Sequence, residues 1–172
     1  KILEGCDYSI NFCGQIIEKQ VTFNQLHSDW PEILSKLSNE YKIKKLIHIS
    51  ALNSHENHPS KYMKSKMSGE DRIKENFENY YILRPSLLYG NGDDSFFSTF
   101  GAMAQISPII PLPLGGKTMF SPVHASDCAE AIVKLLKIEN LKNRIFEITG
   151  TSNYSFKSLI QIFLKEIKKK RL

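Results

Sequence analysis

Tyr62 and Lys66 are the residues of this chain whose types and spacing could do chemistry. On a helix, side chains four apart share one face, so a phenol and an ammonium meet a single ligand together. The neighbouring cation is expected to favour the phenolate, which would make Tyr62 a better acid/base near neutral pH. Lys66 has three donors and no acceptor, so it could hold sugar hydroxyls while tuning the phenol. Lysine is common enough here that about one Tyr-x-x-x-Lys arises by chance. Tyr41 and Lys45 share the spacing, but they lead into the apolar run from Ile43 to Ser50, where a helix should end and a strand begin. Tyr62 instead follows Ile47-His48-Ile49-Ser50 through a polar loop, which is the order of a nucleotide site.

The elements that must position this pair alternate. Asp7 to Phe12, Lys45 to Ser50, Tyr80 to Leu83 and Ile145 to Thr149 read as short, nearly continuous apolar strands, as expected of parallel strands covered on both faces. Phe23 to Tyr41, Lys61 to Phe77 and Ser126 to Lys137 read as helices, the third capped by Ser126-Asp127. The alternation predicts an α/β fold, a doubly wound parallel sheet with right-handed crossovers. Ser86 to Val123, rich in glycine and proline, breaks the pattern. It predicts loops, a short helix around Phe96 to Ile106 and a hairpin near Leu112 to Phe120. A last helix, capped by Ser155, places Phe156, Leu159, Ile160, Phe163, Leu164 and Ile167 on one face. These segments are expected to form a small lobe over the carboxyl ends of the strands, where open α/β sheets bind ligands. The expected division is 1–85 for the first part of the sheet domain and 86–125 for the lobe. Residues 126–150 return to the sheet, and 151–172 add the lobe's helix.

At 172 residues the chain supports one sizeable core. It starts at Lys1 inside what reads as a domain and stops within a helix, so it reads as a fragment of a longer protein. The formal charge is +5, with its clearest run at Lys168-Lys169-Lys170-Arg171, and the chain lacks the interleaved aromatics or module of a nucleic-acid binder. No nucleic-acid partner is expected. Cys6, Cys13 and Cys128 have neither pairing nor zinc spacing and read as reduced, mostly buried thiols. No apolar run is long enough for a bilayer, and no signal peptide is visible. The expected location is therefore cytoplasmic, with peripheral membrane attachment through partners or the basic tail. His55 and His58 lie in a polar loop without other soft ligands, and no metal site is expected. His124 reads as structural, and Asp127 as support for a helix start.

Four motifs then fall in order: Asn11-Phe12-Cys13-Gly14 after a strand; Ser50 with Tyr62 and Lys66; Arg84-Pro85-Ser86 with Tyr89-Gly90; and Val123-His124-Ala125-Ser126-Asp127 before a helix. With them the chain resembles the extended and atypical short-chain dehydrogenase/reductase superfamily, the NAD-dependent epimerase/dehydratase-like proteins. Within it, His48-Ile49-Ser50-Ala51-Leu52, Ser65-Lys66-Met67-Ser68-Gly69-Glu70, Phe96-Phe97, Met103-Ala104 and Gly115-Gly116-Lys117-Thr118 are similar to the NADH:ubiquinone oxidoreductase alpha-subcomplex subunit 9 group and its bacterial relatives. That group is the nucleotide-binding accessory subunit of respiratory complex I.

The resemblance implies a Rossmann-like fold and a nicotinamide nucleotide, NADP or NAD, as cofactor. Cys13, Gly14, Ser50, Tyr62, Lys66, Pro85 and Ser86 are the implied cofactor-binding residues, and Tyr62 and Lys66 the catalytic ones if the protein is active. Two departures stand out. The glycine-rich pyrophosphate turn would lie before Lys1. The Ser or Thr that polarises a substrate carbonyl aligns with Ala51, while Ser50, one residue earlier, points to the opposite face. The expected function is an accessory or assembly factor of respiratory NADH dehydrogenase with little or no catalysis. An active reductase or epimerase on a sugar-nucleotide or other carbonyl substrate is the rival, and a nucleotide-sensing regulator is a third.

Overall fold

The computed structural model describes residues 3–91, 96–107 and 109–168. Its first compact unit takes in residues 1–85 and 128–148, and its second residues 86–127 and 149–172.

The first unit is built on four parallel strands, β1 (Tyr8–Asn11), β2 (Lys45–Ile49), β3 (Tyr80–Pro85) and β7 (Arg144–Ile148), in the spatial order β1-β2-β3-β7. The register sets Asn11 opposite His48, Ile47 opposite Tyr81 and Ile82 opposite Ile145. Helix α1 (Trp30–Glu40) is preceded by a single π turn, Gln25–Asp29. It ends in a Schellman motif, in which Lys42 adopts φ 54°, its N–H donates to Asn39 and the Ile43 N–H donates to Ser38. Ile43 then enters the core with Leu34, Leu46, Ile73 and Phe77. Helix α2 (Lys61–Asn76) supplies Ile73, and the buried Phe77 follows its end.

Alternation along β2 separates the two faces of the sheet. Leu46 joins the core shared with α1 and α2, whereas Lys45 on the other face reaches the C-terminal end of α4 (Ala125–Lys137). Its ammonium donates to the carbonyls of Leu135 at 3.2 Å, Leu136 at 2.7 Å and Ile138. A buried lysine thus satisfies the orphan carbonyls of a helix end and complements its dipole.

Covering on both faces holds for β2 and most of β3 but not for β7, where Arg144, Ile145 and Glu147 are exposed on a strand that ends the sheet among the described residues. The thiols also differ from expectation. Cys6 in the turn before β1 and Cys13 in the loop after it are exposed, and Cys128 alone is buried.

In the second unit, β4 (Leu88–Tyr89) pairs in parallel with β6 (Val123–His124), and β5 (Met119–Phe120) pairs antiparallel with β8 (Tyr154–Ser155). The expected hairpin near Leu112 to Phe120 does not form. Leu114, Gly115 and Gly116 take positive φ in a short turn, which delivers β5 to β8 instead. Helices α3 (Phe96–Ile106) and α5 (Phe156–Glu166) enclose Ala104, Ile110, Phe156, Ile160 and Leu164. Ser155 caps α5, its hydroxyl accepting the Ser158 N–H at 3.1 Å. The start of α4 differs from the expected Ser126-Asp127 cap. The helix begins at Ala125, and the His124 ring nitrogen Nδ1 accepts the Ser126 N–H at 3.2 Å, so the imidazole takes the capping role. The run Lys168–Arg171 lies largely outside the described residues, as does Gly92, and the side chains of Phe96 and Phe97 are likewise not described.

Candidate functional site

Helix α2 carries Tyr62, Lys66 and Glu70 at successive fourth positions, so all three lie on the face turned to the sheet. Lys66 is 3% exposed, and its Nζ donates to the carbonyl of Ile49, the last residue of β2, at 2.7 Å. Among the described residues this is the ammonium's one hydrogen bond, which leaves two of its three donors for a ligand. Burial pushes the Lys66 pKa down to about 8, with Glu70 and then Cys13 pulling the other way. Glu70 is fully buried and forks onto Arg84 of β3, Oε1 to Nε at 2.8 Å and Oε2 to Nη2 at 2.7 Å. The carboxylate that would neutralise Lys66 is therefore committed to a guanidinium.

The Tyr62 phenol does not follow the expected tuning by Lys66. Burial raises its pKa, so the neutral form is favoured. The ring sits edge-on to His27 at 5.4 Å and to Phe23 at 5.8 Å, a largely apolar seat in which loss of solvation dominates.

Gly14 comes close to the cation. A Cβ built there would lie 3.8 Å from Lys66 Nζ and 3.9 Å from His27 Nε2. That is ordinary contact distance, so a side chain here would occupy the exposed approach to the ammonium. Cys13 beside it is exposed, its N–H held by Asn11 Oδ1 at 3.0 Å. Ser50 is buried with its N–H on the Leu83 carbonyl at 2.7 Å, and its hydroxyl has no partner among the described residues. Ala51 is buried too, and its carbonyl accepts the Ser54 hydroxyl at 2.8 Å. Pro85 ends β3 and accepts the Leu52 N–H at 3.0 Å. Cys13, Gly14, Ser50, Tyr62, Lys66 and Pro85 all belong to the first unit; Ser86 is the first residue of the second.

Two histidines and an asparagine that the sequence does not single out as site residues also surround this pair. Asn11 directs Oδ1 to the Cys13 N–H, so its amide nitrogen donates to His48 Nδ1 at 2.9 Å. The His48 proton then resides on Nε2, which is buried without a partner among the described residues. Burial holds the His48 pKa well below its usual value, followed in effect by Lys66 and His27. His27 is fully buried in the π turn. The Ser65 hydroxyl donates to the Tyr62 carbonyl at 2.7 Å and so accepts from His27 Nδ1 at 2.9 Å. His27 Nε2 accepts the Gln15 N–H at 3.1 Å. Burial and then Lys66 lower its pKa to about 4, with Glu18 opposing, so it is neutral at physiological pH. Gly69 makes the seat for this turn, because a Cβ there would fall 1.9 Å from the His27 carbonyl oxygen. Asn11 and His48 carried a legible signal, being polar residues inside apolar strands. His27 had none, since its partners lie 12 and 38 residues away.

His55 and His58 face each other with ring centroids 5.0 Å apart, and His58 Nδ1 accepts the Ser60 N–H at the start of α2. Among the described residues no three His, Cys, Asp or Glu side chains converge as a metal would need, and no helix is long and apolar enough to cross a membrane. His124 and Tyr89 pack edge-to-face at 5.1 Å within the second unit, and Asp127 lies in the first turn of α4.

Residues 51–171 match the family described as the RmlD substrate binding domain. Mitochondrial NADH dehydrogenase [ubiquinone] 1 alpha subcomplex subunit 9 of Mus musculus is 27% identical over 94% of this chain and 43% of its own length. Ceramide reductase of Caulobacter vibrioides is 25% identical over 77% of this chain and 41% of its own. The chain thus spans less than half the length of these relatives. Among solved structures, dTDP-4-dehydrorhamnose reductase of Bacillus anthracis, in complex with NADP, superposes with a TM-score of 0.77 at 18% identity, covering 96% of this chain and 64% of that one. That likeness shows a shared short-chain-dehydrogenase-like fold.

Proposed function

The chain belongs to the RmlD substrate-binding domain family, and from that premise we propose that its first unit carries the nicotinamide-ribose half of an NAD(P) site. The observation that carries this reading is Lys66, a buried ammonium braced on the Ile49 carbonyl with two donors to spare, beside a residue without a side chain. Burying such a cation without full partnering costs free energy unless a ligand completes its hydrogen bonds. Paired hydroxyls of a ribose suit those donors, and the buried Ser50 hydroxyl has no hydrogen-bond partner among the described residues. Lys66 would hold the sugar, Tyr62 would lie one turn away on the same face, and the exposed Cys13-Gly14 backbone would flank the approach. Pro85 and Ser86 would border the nicotinamide end. When bound in its reduced form the nucleotide would supply a hydride; this chain's residues would bind and orient it.

We assign the whole protein an accessory or assembly role in respiratory NADH dehydrogenase, peripheral at the respiratory membrane through its partners. The sequence similarity to the mouse subunit supports this. Little or no catalysis is expected, because Ala51 offers no hydroxyl to a substrate carbonyl. The rival reading is an active reductase or epimerase on a sugar-nucleotide or other carbonyl compound. It is favoured by the intact Tyr62 and Lys66 pair and by similarity to a ceramide reductase. A nucleotide-sensing regulator would share the site but have a different partner.

The test is affinity purification of the full chain from its native cell. Mass spectrometry of the denatured material should find NADPH or NADH, and the co-purifying proteins should include respiratory NADH dehydrogenase subunits. Repeated absence of nucleotide, with no binding by titration, defeats the site assignment. A different set of partners with nucleotide present defeats the accessory role.

A further inference from the structure

We propose that His27 is a positioning residue of this site, tying the loop at Gly14 and Gln15 to helix α2 through one accepted and one donated hydrogen bond and so setting how the loop approaches Lys66. The proposal rests on the nucleotide reading above.

One continuous chain of hydrogen bonds crosses three elements. The Gln15 N–H donates to His27 Nε2 at 3.1 Å, His27 Nδ1–H donates to Ser65 Oγ at 2.9 Å, and the Ser65 hydroxyl donates to the Tyr62 carbonyl at 2.7 Å. The loop after β1, the π turn and the first turn of α2 are thereby fixed to one another. The imidazole has little freedom within this chain. Phe23 stacks on it at 5.3 Å and 17°, and the Tyr62 ring meets its plane nearly perpendicularly, at 86°. Behind it the His27 carbonyl rests on Gly69, where no side chain fits.

The position calls for one donor and one acceptor held rigidly together, which a neutral imidazole provides. An imidazolium has two donors and would turn a proton towards the Gln15 N–H. Deep burial and the nearby Lys66 charge keep the ring neutral. The position built for a Gly14 Cβ is nearly equidistant from His27 Nε2 and Lys66 Nζ, at 3.9 and 3.8 Å. The atom that captures the loop and the cation presented to the ligand therefore share one boundary. Single-turn π segments inside helical stretches often occur at functional sites, and this one places the ring.

Two variants separate positioning from packing. His27→Phe keeps an aromatic ring between Phe23 and Tyr62 but makes neither hydrogen bond. His27→Gln gives up ring packing but keeps one donor and one acceptor. Titrating the full chain with NADPH and NADH should show His27→Phe weakened by about tenfold or more and His27→Gln within about threefold of wild type. Wild-type affinity in His27→Phe, or an equal loss in both variants, overturns the assignment, because packing alone would then explain the residue. Should His27→Phe fail to fold, Ser65→Ala decides, since it leaves the ring in place and removes the Nδ1–H acceptor. A loss of about threefold or more supports the proposal, and unchanged affinity overturns it. A wild-type protein that binds neither nucleotide defeats the nucleotide reading and this inference with it, an outcome distinct from wild-type binding with unperturbed variants.

Discussion

Lys66 Nζ stands 2.7 Å from the carbonyl oxygen of Ile49, so the buried cation of α2 is fastened to the last residue of β2. The contact fixes where the ammonium can present its remaining donors. It also commits the fold to a charge removed from water.

Lys66→Met should weaken nucleotide binding and stabilise the protein at the same time. The binding loss is about 1.5–3 kcal/mol for a charge-assisted contact. The stability sign follows from linkage. The Lys66 pKa falls from 10.5 unfolded to about 8 folded, so its penalty is full below pH 8 and is relieved as pH rises towards 10.5. Replacement should therefore raise stability at pH 7 by roughly 1–2 kcal/mol, after the loss of the Ile49 contact is counted. Denaturant midpoints at pH 7 and 9.5 check this, and the gap between variant and wild type should narrow at the higher pH.

Acid should destabilise the protein before its ordinary carboxylates titrate. His27 ionises at about 4 folded against 6.5 unfolded, so the unfolded chain binds more protons between those values. The stability from keeping this ring neutral is full above pH 6.5 and is lost progressively as pH falls to 4. His48 is shifted in the same direction. Unfolding followed from pH 7 to 4.5 should show a falling midpoint, with a shallower slope in His27→Gln. Equal slopes would mean that the imidazole is not a proton-linked group.

Turnover should be near background in the wild-type full chain across aldehydes, ketones and sugar nucleotides, followed by cofactor oxidation. A missing donor at a developing oxyanion costs about a hundredfold to a thousandfold in rate. Ala51→Ser should recover slight activity, and Tyr62→Phe should change little. Robust wild-type turnover that vanishes in Tyr62→Phe would establish the reductase or epimerase reading instead.

Lys45→Met should destabilise the fold by about 2 kcal/mol, because it strips the end of α4 of a charged donor to several carbonyls. The same change at the exposed Lys134, paired with Glu130 on the helix surface, should cost far less. Thermal denaturation of the two variants makes the comparison, and equal costs would show that the Lys45 cap contributes nothing.

Strand–helix alternation was readable because its causes are local. Apolar runs such as Lys45–Ile49 and Tyr80–Pro85 fix strands through side-chain burial, and Ser155 caps α5 because the hydroxyl meets an N–H three residues on. The cap of α4 was misread, since Ser126 and His124 are both competent and only backbone geometry selects the histidine. The hairpin near Leu112 to Phe120 was misread for a similar reason: β5 finds its partner in β8, far along the chain.

At the site, the spacing of Tyr62 and Lys66 already placed both on one helical face, because helical periodicity is a property of sequence alone. What surrounds them was decided in three dimensions. The phenol is driven towards its neutral form by Phe23 and His27, while Glu70 is drawn away from Lys66 by Arg84. A pKa depends on solvation and distance, and neither exists until the chain closes on itself. His27 shows this most plainly: one polar residue in a polar stretch, given its role by Gln15, Ser65 and Gly69, which only the tertiary fold brings to it.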